Sequence, residues 1–147
     1  PGLEAAHQAA QGGNLPRGRD AGAVERRTKV EESCAGEGLA LDARQHLGEP
    51  VAEILHFGSY SCRTIRGSSA ASEHATANAF DISGFRLSSG KLVSLKQQWQ
   101  GSQPEAEFLK EVRDGACDYF NVVLSPDYNA DHHDHLHVDM GWYRTCR

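Results

Sequence analysis

Apolar and polar positions alternate with a period of two in His135-Leu136-His137-Val138-Asp139-Met140. A strand with that pattern sends Leu136, Val138 and Met140 to one face and His135, His137 and Asp139 to the other. Ala79-Phe80-Asp81-Ile82 repeats the pattern, with Phe80 and Ile82 opposite Asp81. Val51 to Tyr60 is the first strand candidate. Asn78 to Leu87 pairs with Lys91 to Leu95 as a hairpin around Ser88-Ser89-Gly90. Simple alternation puts Phe85 and Leu87 on the face of Asp81, so the pattern predicts a twist or bulge between them.

Helical spacing marks two further segments. Residues 39–47 read as a short helix stopped by Gly48-Glu49-Pro50. Ser102-Gln103-Pro104-Glu105 reads as a capping box opening a helix to about Tyr119. Its stripe of Phe108, Leu109, Val112, Ala116 and Tyr119, at spacings of three and four, predicts core. Asn121 to Ser125 is a β-branched strand and Pro126-Asp127-Tyr128-Asn129 a turn, while the Ser- and Gly-rich stretch from Thr64 to Glu73 is a loop that lips a cleft. Residues 1–33 lack sustained periodicity and read as a flexible leader or frayed helix, leaving 34–147 as the domain. Together these predict a single α+β domain with a mainly antiparallel sheet, helices on one face and a metal site on the other.

The metal is suggested by residue type. Asp131-His132-His133-Asp134-His135-Leu136-His137-Val138-Asp139 follows Ser72-Glu73-His74 and Asp81 at a distance of some fifty residues. Imidazole nitrogen and carboxylate oxygen are zinc ligands, and a catalytic zinc takes three protein ligands and keeps one position open. A His-rich scavenging tract or a tag remnant is the competing reading. A tag does not interleave with Leu, Val and Asp at strand period. His7, His46 and His56 stand apart from the cluster and read as ordinary surface or core residues.

Composition narrows the classes. A chain of 147 residues makes one domain, burying about two thirds of its unfolded surface. The formal charge of −5 argues against a nucleic-acid binder, including a metal-dependent nuclease, because no basic stripe is present. No apolar run is long enough to span a bilayer. The chain opens Pro1-Gly2-Leu3 without an initiator Met and without a signal peptide, and reads as a processed or truncated product. Cys34, Cys62, Cys117 and Cys146 include no C-x-x-C pair, so disulfides in an exported protein are expected, with reduced cytosolic thiols as the alternative. Of three connectivities the reading favours Cys34–Cys62 with Cys117–Cys146. The oligomeric state is not legible.

Ser72-Glu73-His74-Ala75-Thr76-Ala77-Asn78-Ala79-Phe80-Asp81-Ile82, preceded by Gly58-Ser59-Tyr60-Ser61-Cys62-Arg63 and followed by Asp131 to Asp139, resembles the bacterial extensin-like C-terminal domain. That family is similar to zinc peptidases grouped with lysostaphin and the D-alanyl-D-alanine carboxypeptidases, which use a His-x6-Asp element and a later His-x-His element. The resemblance runs from roughly Leu47 to Arg147. Upstream, Glu32-Ser33-Cys34-Ala35-Gly36-Glu37-Gly38-Leu39 replaces the family's Cys-Pro motif and amphipathic helix, two glycines weakening a helix by roughly 1 kcal/mol each.

The resemblance implies that His74, Asp81 and His137 hold Zn2+, with His135, the first histidine of the pair, as the catalytic imidazole or one that supports the ligands from behind. Hydrolysis needs a water of lowered pKa, a base and a positive group for the oxyanion. His135 is the preferred base and Arg63 the oxyanion partner, against a structural or solvent-facing role for Arg63 and Arg66. Arg66 and Ser72 are candidate substrate contacts, although Ser72 is equally suited to capping the turn before His74. His132, Asp134 and Asp139 are candidates for orienting the imidazoles. The implied function is a zinc metallopeptidase acting on peptidoglycan peptides in the periplasm or outside the cell, as carboxypeptidase or endopeptidase. The alternative is a wall-binding or scaffolding module that keeps the metal without turnover.

Overall fold

Strand propensity in Val51–Gly58 and Ala79–Leu87 produces the two longest strands. The structure is a computed structural model that describes residues 26–29 and 42–147. We number its elements β1 (Arg26–Lys29), α1 (42–47), β2 (Val51–Gly58), β3 (Ala79–Leu87), β4 (Leu92–Ser94) and α2 (Leu95–Gln98), then α3 (Pro104–Tyr119), β5 (Val122–Leu124), β6 (Leu136–Asp139) and β7 (Thr145–Cys146). The strands form one sheet in the order β1-β2-β3-β6-β5-β7, with β4 also paired to β3. Every pairing is antiparallel except β5 with β7.

β3 is the central strand. One edge pairs with β2, and the other pairs first with β6 and then with β4. The expected break in alternation is present: Leu55 pairs with Gly84 but His56 pairs with Ile82, so Ser83 is an extra residue on β3. That bulge restores the core face. Phe80 and Ile82 before it and Phe85 and Leu87 after it are all buried in one cluster. Gly84 follows for a steric reason, since a Cβ there would lie 2.4 Å from the Val93 carbonyl oxygen of β4.

The helices cover the core face. Ala43 of α1, Leu95 of α2, Trp99 just after it, and Phe108, Leu109, Val112 and Ala116 of α3 pack against Phe80, Ile82, Phe85, Val123, Leu136 and Val138. Phe85 and Phe108 meet edge to face at 5.3 Å. Burial of each such large side chain contributes roughly 1.5–3 kcal/mol. The architecture is thus a single small domain of mixed α and β content, most of its strands in one sheet and its helices on one face.

Several expectations shift. The helix cap is Gln103 rather than Ser102, with no side-chain cap bond. Pro104 at the first helical position explains this, because its φ is preset and it has no N–H to satisfy. Tyr119 and Met140 are exposed rather than core. Met140 lies beyond the end of β6, where its amide bonds to the Asn78 carbonyl. Arg26–Lys29 is an edge strand paired with Ile54 and Leu55, where the sequence suggests leader or frayed helix. Four residues are too few to display a period, and a charge-rich Arg-Arg-Thr-Lys is typical of a sheet edge. The rest of 1–33, and residues 39–41 of the first helix, lie outside the described residues. Neither the four-residue α2 nor the two-residue β7 is legible as a period.

Cys117 of α3 and Cys146 of β7 form a disulfide. Cys62 is exposed and free in the loop after β2, which departs from the expected Cys34–Cys62 bridge; Cys34 lies outside the described residues. No helix among the described residues is long and apolar enough to cross a membrane.

The Cys117–Cys146 bridge closes a loop with a sequence separation of 29. Loop-closure entropy for that length corresponds to about 3–4 kcal/mol. Replacing both cysteines with Ser is expected to lower the unfolding free energy by up to that amount in a denaturant titration. An unchanged midpoint would show that the bridge does not constrain the unfolded chain.

Candidate metal centre

The face of the sheet opposite the helices carries the polar cluster. β3 pairs with β6 so that Asp81 stands directly across from His137. Adjacent strands in register place the two side chains on the same face, at hydrogen-bonding distance. Asp81 Oδ1 lies 2.9 Å from His137 Nδ1.

His74 arrives from a 3-10 turn, Glu73–Thr76, before β3. Ser72 caps that turn, its Oγ accepting from the His74 amide at 3.3 Å. Ala77 closes the turn in the left-handed region with φ 57°. The buried His74 ring then reaches both partners: Nε2 is 3.1 Å from Asp81 Oδ1 and 3.1 Å from His137 Nδ1.

The outer nitrogens of the two rings are each engaged. His74 Nδ1 donates to the Ser59 carbonyl at 2.7 Å, and His137 Nε2 donates to Asp139 Oδ2 at 2.9 Å. A carbonyl and a carboxylate only accept, so both outer nitrogens carry hydrogen. In the neutral rings the inner nitrogens are then lone pairs. Three lone-pair atoms, His74 Nε2, His137 Nδ1 and Asp81 Oδ1, therefore converge with edges of 2.9–3.1 Å.

Such a triangle requires a positive charge. Three atoms each 2.0–2.1 Å from one tetrahedral cation would be about 3.3 Å apart, close to the separations here. The donor set of two imidazoles and a carboxylate suits zinc, and both imidazoles are backed through their far nitrogen as metal-binding histidines are. These residues fit a divalent cation.

Without metal a proton supplies the charge. Burial opposes the charged form of His137, but hydrogen bonds to Asp139 and Asp81 overcome it and raise its pKa to about 9. Burial likewise opposes ionisation of Asp81, and the hydrogen bonds with His137 and then His74 prevail, holding the carboxyl well below the usual carboxylate range.

His135 precedes β6 and stands beside the triangle. Its Nδ1 donates to Asp134 Oδ1 at 2.9 Å, and its Nε2 lies 3.7 Å from Asp81 Oδ1. Asp134 and Asp139 thus each accept from an imidazole. His132 does not. Its Nδ1 bonds Asn129 Oδ1 at 2.7 Å, and its ring packs 5.1 Å from His135 and 5.9 Å from His137, centroid to centroid. Burial and the neighbouring His135 and His137 lower its pKa to about 4. It is a neutral wall of the site and orients neither ring.

A cleft of about 710 Å³ opens over this cluster, with Arg63, Arg66, Ser72, Tyr128, His132 and His135 in its lining. The loop after Arg63 forms its lip, tied by a Thr64–Ala71 bridge. Arg63 is exposed, and its guanidinium has no partner among the described residues. Arg66 is instead paired with Asp131. Ser72 both caps His74's turn and borders the cleft. Of the remaining histidines, His46 pairs with Glu111, His56 packs on Phe80 at 4.6 Å, and His7 lies outside the described residues.

Residues 28–147 match the extensin-like protein C-terminus family. The chain belongs to this family. The match begins inside β1, upstream of Leu47 where the resemblance starts in the sequence, so the extensin-like region reaches into the edge strand and includes the glycine-bearing segment that departs from the Cys-Pro pattern. No curated protein and no solved structure matches the chain. Reading motifs alone misses three parts of the extensin-like site: the Ser59 carbonyl behind His74, Asn129 behind His132, and Gly141 behind Asp139. Two of these act through backbone atoms, which no side-chain pattern announces.

The raised pKa of His137 is a statement about the metal-free protein. Its folded value of about 9 exceeds the ordinary value of 6.5, so the stability it contributes is complete below about 6.5 and is lost as pH rises through about 9. Denaturant midpoints in chelator are expected to fall over that window in the native chain and much less in His137→Gln. An equal fall in both proteins would assign the titration to another group.

Proposed function

We propose that this extensin-like domain is a zinc-dependent hydrolase of the peptidase type, exported and acting on the peptides of the cell wall. The observation that carries the reading is the convergence of His74 Nε2, Asp81 Oδ1 and His137 Nδ1 within 2.9–3.1 Å, with both imidazoles backed by acceptors. Two backed imidazoles and a carboxylate whose inner atoms lie this close form a ready set of ligands, with a proton on His137 taking the place of the cation when metal is absent.

His74, Asp81 and His137 hold the cation, which when bound supplies Lewis acidity for amide hydrolysis at neutral pH. The chain's own groups do the rest. His135 is the general base: the Asp134 carboxylate holds the hydrogen on Nδ1, so that in the neutral ring Nε2 is the acceptor, facing the cluster, that takes a proton from the attacking water and returns it to the leaving amine. Arg63, exposed in the cleft with no partner among the described residues, offers its guanidinium to the oxyanion. Ser72 and Arg66 border the substrate path, with Arg66 released from Asp131 when a substrate anion competes. His132 contributes an uncharged imidazole wall. The Cys117–Cys146 disulfide supports an oxidising compartment, hence export. The family resemblance supplies the substrate class, peptidoglycan peptides.

The deciding experiment is digestion of purified muropeptides by the zinc-loaded protein, followed by mass spectrometry. New masses differing by one hydrolysed amide are expected. His135→Ala is expected to retain about one zinc per chain while losing roughly 10²–10⁴ in kcat. His74→Ala and His137→Ala are expected to lose zinc and activity together. Unchanged muropeptide masses with zinc bound would replace the enzyme by a wall-binding module.

A further inference from the structure

We infer that Gly141 is a positioning residue for the metal centre, acting on His137 through the Asp139 carboxylate. The inference rests on the zinc reading above and extends it to a position that carries no side chain and no motif.

Asp139 uses its two oxygens differently. Oδ2 accepts from His137 Nε2 at 2.9 Å, and Oδ1 accepts from the Gly141 amide at 2.7 Å. A carboxylate held at both oxygens cannot rotate, so the Gly141 N–H sets the plane in which Oδ2 meets the imidazole. That plane in turn sets where His137 Nδ1 points. The peptides on either side of that N–H are clamped: Asn121 Nδ2 donates to the Gly141 carbonyl at 2.8 Å, and the Asn121 amide donates to the Asp139 carbonyl at 3.0 Å.

No other residue fits at 141. A Cβ would lie 2.9 Å from Asp139 Oδ1 and 3.4 Å from Glu73 Oε1. Neither acid yields freely. Asp139 is buried and doubly bonded, and Glu73 is held by Asn78 Nδ2 at 2.6 Å while lying next to ligand His74 in the capped turn. A methyl group at 141 therefore presses on the carboxylate behind His137, while Glu73, next to His74 in sequence, sits at contact distance and closes the space on the other side. Gly115 in α3 is the contrasting case, because a Cβ there meets nothing within 4 Å.

The test is a double-mutant cycle read by zinc affinity, using competition against a chromophoric chelator. Gly141→Ala and Asp139→Asn are each expected to weaken zinc binding about 10–100-fold, the usual cost of losing a group behind a ligating histidine. The double variant is expected to be no weaker than the weaker single one, because both changes act through the same carboxylate. Gly115→Ala is expected to leave affinity unchanged. Native affinity in Gly141→Ala, or additive losses in the double variant, would overturn the inference.

A second measurement needs neither zinc nor a variant at 141. In metal-free protein, NMR of Asp139→Ala is expected to show loss of the downfield His137 imidazole proton together with loss of exchange protection at the Gly141 amide. A Gly141 amide that keeps its shift and protection would disprove the link. If the native protein takes up no zinc, the proposed hydrolase fails, and this measurement still decides whether the Gly141 amide orients His137 through Asp139.

Discussion

The antiparallel pairing of β3 with β6 is the constraint on which the rest depends. It sets Asp81 across from His137, and both lie on the face that the helices leave uncovered. A shift of one residue in that pairing would turn Phe80 and Ile82 outward and bury a carboxylate among apolar side chains. Core and site are therefore specified by the same register. The hydrophobic preference of Phe80, Ile82, Leu136 and Val138 for the helix-covered face, all of them buried, is what brings the charged residues between them together. Packing on one side assembles the chemistry on the other.

The bulge at Ser83 lets one long strand serve two masters. Before it, β3 presents Asp81 to the site and pairs with β6; after it, β3 pairs with β4 and sends Phe85 and Leu87 into the core. Without the extra residue, either Asp81 or Phe85 would face the wrong way. Gly84 completes the device by allowing the β4 backbone to approach, and the next residue, Phe85, meets Phe108 of α3 edge to face.

The sequence makes some of this plain and conceals the rest, for identifiable reasons. The alternation in Ala79–Ile82 and Leu136–Asp139 is legible because each strand has one polar and one apolar face, and the conflict between Asp81 and Phe85 announces the bulge. The stripe of Phe108, Leu109, Val112 and Ala116 is legible for the analogous reason at helical period. His74, Asp81, His135 and His137 stand out by residue type, while their relative placement follows only once the register is known. Asp134 and Asp139 are legible as neighbours of the imidazoles they engage; His132 looks equivalent, yet it turns toward Asn129 because its 3-10 turn aims the ring along the cleft wall. Ser102 looks like a cap until Pro104 displaces the helix start by one residue. β1 and β7 are too short for a period to appear, and they are strands because a neighbour offers an open edge. The Ser59 carbonyl and Gly141 amide lie beyond any side-chain code.

The C-terminal segment shows how stability and site geometry meet. Asp139 ends β6, and six residues later β7 adds parallel to β5, with Cys146 bonded to Cys117 of α3. The stretch between is thus anchored at both ends, by the sheet and by the helix layer. Gly141 lies in it with its amide on Asp139 and its carbonyl on Asn121, and the fully exposed Trp142 follows at the rim of the cleft. A free C-terminal tail would let the Gly141 peptide wander and would loosen the carboxylate behind His137. The disulfide accordingly steadies more than the fold: by fixing β7, it limits the freedom of the peptide on which the orientation of a proposed metal ligand depends.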